Sequence, residues 1–168
     1  MGRYRPPQPA ASKYITPEGK QRLAEEVDKL WKKRRPEVTK ALAAAAAEGD
    51  RSENAEYIYR KKELREIDAR LRYLRKRLDG IKVVDRIPDD QRRVYFGAWV
   101  RLEDDAGEER LYRVVGPDEI DPALGYISID SPMGKALIGK SLDEELTLML
   151  PQGETAYLIT EISYTRIE

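Results

Sequence analysis

Two carboxylates three residues apart, Asp50 and Glu53, lie in the segment Gly49-Asp50-Arg51-Ser52-Glu53-Asn54-Ala55-Glu56-Tyr57. Their spacing admits two kinds of chemistry. One is structural: at a helix start Asp50 accepts from the Glu53 amide while Glu53 reaches back, a capping box contributing about 1 kcal/mol. The other is ligation. With Ser52 as the cap, both carboxylates project from the corner and can hold a hard cation such as magnesium. That ion keeps most of its waters and commonly takes one or two carboxylates plus phosphate oxygens. Two carboxylates alone bind it weakly, so ligation here calls for a shared site completed by another macromolecule.

Few other places in the chain can hold reactive groups. The 168 residues include no histidine and no cysteine, which removes disulfide frameworks, thiol nucleophiles and the commonest general base and metal ligand. Hydrophobic residues make up 40%, enough for a modest core in one or two small domains. No run approaches the roughly 18 apolar residues of a membrane span. Residues 1–12, rich in Pro and Arg, have no apolar signal region, so the expectation is a cytoplasmic protein with no membrane partner. A net charge of zero conceals an asymmetry: residues 1–96 carry 25 Lys/Arg against 16 Asp/Glu, and residues 97–168 carry 6 against 15. The basic part suits an anionic polymer and the acidic part a basic protein surface.

The corner must be positioned by the helices on either side. Thr16-Pro17-Glu18 reads as an N-cap, a proline in the first turn and an early acid, opening a helix over 17–47. Its apolar positions Leu23, Val27, Leu30, Val38, Leu42 and Ala45 follow a broken heptad, and Pro36 predicts a bend near Arg35. Gly49 then suits a left-handed stop. A second helix from Glu53 to about Asp79 carries Leu64, Ile67, Leu71, Leu74, Leu78 and Ile81 in steps of three and four. With about five residues between them, the helices form an antiparallel hairpin, on the order of 45 Å long and narrowed at its far end by Ala43–Ala47. Beyond Gly80 the pattern changes to short strands: Val94–Leu102, Arg110–Val115, Tyr126–Ile129, Leu146–Leu150 and Ala156–Ile162, with a capped helix after Ser131-Pro132. The fold class is α+β: a coiled-coil hairpin over 14–84 with its tip at 48–54, a linker over 85–93 and an antiparallel sheet domain over 94–168. Residues 1–13 are expected to be a disordered extension.

The second helix is strongly basic. Arg60, Lys61, Lys62, Arg65, Arg70, Arg72, Arg75, Lys76 and Arg77 face only Glu63, Glu66 and Asp68. A solvated coiled-coil face and a phosphate-tracking surface both fit this pattern. Tyr57, Tyr59 and Tyr73 suit base stacking and packing alike, while Trp31 and Trp99 read as core or interface anchors.

The corner segment, Lys61-Lys62-Glu63-Leu64-Arg65-Glu66-Ile67-Asp68, Arg72-Tyr73-Leu74, Phe96-Gly97-Ala98-Trp99-Val100 and Tyr126-Ile127-Ser128-Ile129-Asp130-Ser131-Pro132-Met133 together resemble the bacterial Gre transcript-cleavage factors, from about Ile15 to Tyr164. Arg51, where the A-type factor usually has leucine, and the basic second helix place the resemblance with the B-type. The resemblance implies a hairpin that enters the secondary channel of bacterial RNA polymerase and a C-terminal FKBP-like domain that docks at the channel rim. It implies that Asp50 and Glu53 help hold a second Mg²⁺, shared at the polymerase active centre, and promote cleavage of the nascent RNA 3′ segment in backtracked complexes. Arg60, Lys61, Lys62 and Arg65 would then hold the RNA, and Arg51, Ser52, Asn54, Glu56 and Tyr57 would shape the tip. Asp118, Glu119, Ser131, Pro132 and Met133 are candidates for docking. The expected protein is a monomer and no enzyme on its own. Two alternatives are a channel-binding regulator without cleavage activity and a coiled coil that binds nucleic acid directly.

Overall fold

The computed structural model describes residues 6–50 and 53–168. These form two compact units, Lys20–Ile81 on one side and the described residues up to Gly19 with Lys82–Glu168 on the other. The architecture is α+β.

The helical unit is a hairpin. Its first arm comprises α1, Pro17–Lys29, which begins in the other unit, then a π-helical turn, Leu30–Arg34, and α2, Arg35–Ala47. Its second arm is α3, Ala55–Gly80, about 39 Å long at the usual rise. The expected interruption at Pro36 takes a specific form: the helix continues, but widens into the π turn immediately before α2. The Arg35 amide donates to the Leu30 carbonyl, five residues back. Proline lacks an N–H and crowds the carbonyl one turn before it, and a widened turn relieves that crowding. The same turn accounts for the broken heptad, because Leu30 and Val38 are one residue further apart than a heptad allows.

Val38, Ile67 and Leu71 form the buried seam, with Val27, Leu30 and Leu64 packed against it. Ala45 is also buried, so the alanine run lets the arms approach closely near the tip. Cross-arm pairs fix the register: Arg70 grips Glu26 with two hydrogen bonds of 2.8 and 3.0 Å. Arg35 bonds Asp68 at 2.8 Å, and Arg34 bonds Glu63. Glu26, early on the first arm, meets Arg70, whereas Arg34 and Arg35 meet Glu63 and Asp68 nearer the start of α3, as an antiparallel hairpin requires.

The second unit is built on a five-stranded sheet of β3, Trp99–Asp104; β4, Glu109–Val115; β5, Tyr126–Ser128; β6, Glu145–Leu150; and β7, Gly153–Ser163. Their order across the sheet is β5-β4-β3-β7-β6. The sheet is mixed, which corrects the antiparallel expectation: β5 runs parallel to β4. The connecting stretch, with its 3-10 turn Pro122–Leu124, returns the chain to the starting end before β5 begins. The first expected strand also starts later, at Trp99, because Gly97 at φ +87° turns the backbone out of extended geometry. A β-bulge leaves Thr160 between the Arg101 and Leu102 pairings, and its hydroxyl donates to the Arg101 carbonyl at 3.3 Å.

The core contains Val100, Leu102, Val114, Leu137, Leu148 and Ile159, closed by α4, Pro132–Leu137. A short parallel pair, β1 (Tyr14–Ile15) and β2 (Lys82–Val83), belongs to the same unit. It was not visible in the sequence, since two-residue strands carry no measurable alternation.

Candidate functional site

The geometry of the corner decides between the two chemistries open to Asp50 and Glu53. Helix α2 ends at Ala47 and the chain leaves through Gly49, whose φ of +140° is a conformation only glycine enters cheaply. Helix α3 begins at Ala55, and its cap is Asn54. The Asn54 Oδ1 accepts from the Tyr57 amide at 3.0 Å. The capping-box reading therefore fails: α3 starts after Asn54, leaving Glu53 outside the helix and Asp50 away from the cap position. Arg51 and Ser52, both expected to shape the tip, lie outside the described residues.

Asp50 and Glu53 are both exposed and sit on the connecting segment between the arms. Among the described residues no group of three or more acidic, histidine or cysteine side chains is arranged to hold a metal ion. Hard carboxylate oxygens such as these are the donor type that suits magnesium.

Asn54 also holds the tip together. Its Nδ2 donates to the Ala45 carbonyl at 2.7 Å, which also accepts the Glu48 amide at 3.2 Å, so one side chain caps α3 and ties it to the end of α2. The remaining tip residues serve α3 itself. The half-buried Tyr57 takes the cap bond, and Glu56 accepts from Arg60 Nε at 2.8 Å.

The basic residues divide by face. At about 100° per residue, Lys61, Lys62, Arg65, Arg72 and Lys76 fall within an arc of about 100° centred near Ile58 and Ala69. No acidic residue between Ile58 and Lys76 falls in that arc. All five cations are exposed, and the stripe runs about 22 Å along the helix. Arg60 lies on the other side. It bonds Glu56 and also Glu63 at 3.0 Å, and these hydrogen bonds raise its pKa further. Its charge is used within the hairpin, where Glu63 also receives Arg34. Arg72 and Lys76, absent from the expected RNA-binding set, share the face of Lys61, Lys62 and Arg65, a placement that follows from helical angle.

The tryptophans separate as well. Trp99 is a core residue in an edge-on contact with Tyr126, centroids 5.5 Å apart. Trp31 is 48% exposed, with the guanidinium of Arg75 4.8 Å and that of Arg35 5.5 Å from its ring centroid. It bridges the two arms from outside the seam.

In the sheet unit, one expected docking residue is corrected. Glu119 is only 4% exposed. Its carboxylate accepts from the Gly116 amide at 2.9 Å and from the Thr16 amide at 3.1 Å, and also from the Thr16 hydroxyl. A buried carboxylate needs such donors, and with its oxygens committed inward it offers nothing to a surface partner. Ser131 caps α4, accepting from the Gly134 amide at 3.0 Å and donating to the Ser128 carbonyl at 2.6 Å. Met133 packs on the core. Pro132 is exposed and Asp118 partly so.

The chain matches known proteins along nearly its full length. Residues 13–83 match the family model described as "Transcription elongation factor, N-terminal". Residues 89–164 match "Transcription elongation factor, GreA/GreB, C-term". Transcription elongation factor GreB of Pseudomonas aeruginosa is 58% identical over 98% of each chain. That of Xanthomonas axonopodis pv. citri is 55% identical over 99% of this chain and 100% of its own. A solved structure, GreA factor homolog 1 (Gfh1) of Thermus thermophilus, is 28% identical over 90% of this chain and 99% of its own, with a TM-score of 0.41. From the helical corner to the last strand of the sheet, the chain belongs to the GreA/GreB family of transcription elongation factors.

Proposed function

We propose that this elongation factor inserts its hairpin into the secondary channel of bacterial RNA polymerase and promotes cleavage of the nascent RNA 3′ segment in backtracked complexes. The carrying observation is the location of Asp50 and Glu53, exposed on the segment before the α3 cap and released from the helix-capping role. They would hold a magnesium ion together with ligands from the polymerase. When bound there, the ion would stabilise charge on the reacting phosphate oxygens and make a bound water a better nucleophile.

The protein's own residues do the positioning. Asn54 fixes the segment between the arms, so that both carboxylates ride on a tied corner. The stripe of Lys61, Lys62, Arg65, Arg72 and Lys76 would hold RNA phosphates by displacing counterions. Asp118 and Pro132 remain docking candidates at the channel rim. With half the ligands supplied elsewhere, the isolated chain acts as a cofactor and does not cut RNA alone.

The test is incubation of stalled, backtracked elongation complexes with magnesium and the wild type, Asp50→Ala, Glu53→Ala or the double variant, reading RNA fragments. Loss of cleavage with polymerase binding intact is the expected result. Undiminished cleavage by the double variant overturns the assignment. Inhibition of synthesis without cleavage by the wild type would instead favour a channel-binding regulator.

A further inference from the structure

We infer that Ile58 and Tyr59 form a pad on which a base of the extruded RNA stacks at the tip end of the cationic stripe. The inference rests on the proposed RNA-handling role. Ile58 is 52% exposed and Tyr59 58% exposed, consecutive residues in the first turns of α3 that leave the helix about 100° apart. Neither packs into the seam formed by Val38, Ile67 and Leu71. Together they put apolar surface on the water side of a highly charged helix, where a partner with apolar faces can cover it.

The surroundings identify that partner. Ile58 lies on the axis of the stripe, one turn before Lys61 and Lys62, while Tyr59 flanks it on the Lys62 side. A base laid on the pad keeps its own backbone beside those lysines. Stacking needs only a π-face, so it tolerates any base, as a factor acting on arbitrary transcripts requires.

Arg60 makes the pad rigid. Its guanidinium lies 5.3 Å from the Tyr59 ring centroid, and Glu56 and Glu63 hold it there at 2.8 and 3.0 Å. The arginine identified above as spent within the hairpin thus acquires a use as a fixed plane against the ring. Tyr57 offers no equivalent surface: it is half-buried, with the Lys61 ammonium 5.8 Å from its ring centroid. Tyr73 is exposed, but lies about 21 Å farther along the helix.

The test uses full-length protein on backtracked complexes whose RNA carries a photoactivatable 4-thiouridine near its 3′ end. Tyr59→Ala should raise the factor concentration for half-maximal cleavage by roughly tenfold, with little change in rate at saturation, and abolish the crosslink to the first turns of α3. Tyr59→Phe, which keeps the ring, should rescue both. Wild-type behaviour of Tyr59→Ala, or a Phe variant as defective as the Ala variant, overturns the pad. So does an equal loss of affinity for polymerase lacking RNA, which would mean that a protein surface covers these residues. The crosslink is read whether or not cleavage occurs, so failure of the pad is distinguishable from failure of the cleavage assignment.

Discussion

The side-chain amide of Asn54 spans the tip of the hairpin, donating to the Ala45 carbonyl at 2.7 Å while its oxygen accepts from the Tyr57 amide at 3.0 Å. Loss of the cap costs about 1 kcal/mol, and loss of the cross-tip bond about 1 kcal/mol more. Asn54→Ala should therefore destabilise the hairpin by about 2 kcal/mol in urea titrations followed by helical circular dichroism. Asn54→Asp keeps the acceptor but loses the donor, and should fall about halfway. Equal midpoints for all three proteins would remove the bridge from the account.

Asp50 and Glu53 should behave in the opposite way. Since α3 is capped elsewhere, Asp50→Asn and Glu53→Gln should each shift stability by no more than about 0.5 kcal/mol. A loss approaching that of Asn54→Ala would return these carboxylates to a structural role.

Charge removal along α3 separates the stripe from its opposite face. Each of Lys61, Arg65 and Arg72 changed to alanine should reduce the salt dependence of RNA affinity in the transcription complex, by about 0.7 in the log–log slope per lost phosphate contact. Arg60→Ala should leave the slope unchanged, because its charge is already matched by Glu56 and Glu63. An equal effect of Arg60 would contradict the division by face.

Glu119 is tested by stability. Its carboxylate satisfies two backbone amides and a hydroxyl in a buried setting, and stranding such donors costs about 1–3 kcal/mol each before relaxation. Glu119→Ala should cost about 3 kcal/mol in the unfolding of the sheet unit. Gly19→Ala should also destabilise it, since a Cβ there meets the Glu119 carboxylate. Neutral behaviour of both variants would contradict the buried bonding.

Tyr164 gives a pH signature. Burial holds its phenol proton, and the pKa is raised to about 12 from 10.0. Its hydroxyl donates to the Arg93 carbonyl at 2.5 Å and accepts from the Tyr95 amide at 2.9 Å. A group whose pKa is raised by folding stabilises fully below its unfolded pKa and loses that contribution as pH rises through the folded one. The advantage of wild type over Tyr164→Phe in melting temperature should thus be constant below pH 10 and shrink between pH 10 and about 12. A gap that widens over that window would reverse the sign.

The hairpin was legible because Leu64, Ile67, Leu71 and Leu74 repeat strictly and only a short corner separates the arms. The strands of the sheet unit were legible within a few residues, but not the parallel pairing of β5. That pairing depends on where a loop delivers the chain, and no local alternation encodes it. At the site, residue types pointed to Asp50 and Glu53, yet a cap shifted to Asn54 could not be separated by spacing from a capping box, since both place an acceptor near the helix start. The face occupied by Arg60 was recoverable from helical angle. The burial of Glu119 was not, because Thr16 lies far from it in sequence and only the fold brings them together.

The π turn at Leu30–Arg34 acts as a phase corrector. The first arm carries one residue more than its hydrophobic repeat can accommodate. In an uninterrupted α-helix that surplus would rotate everything beyond Arg35 by about 100° about the helix axis, swinging Val38 and Ala45 off the seam. By spending the extra residue in one wide turn, the arm reaches its tip with the same azimuth at which it set out. The aim of the corner is therefore written partly in a residue count about twenty positions upstream.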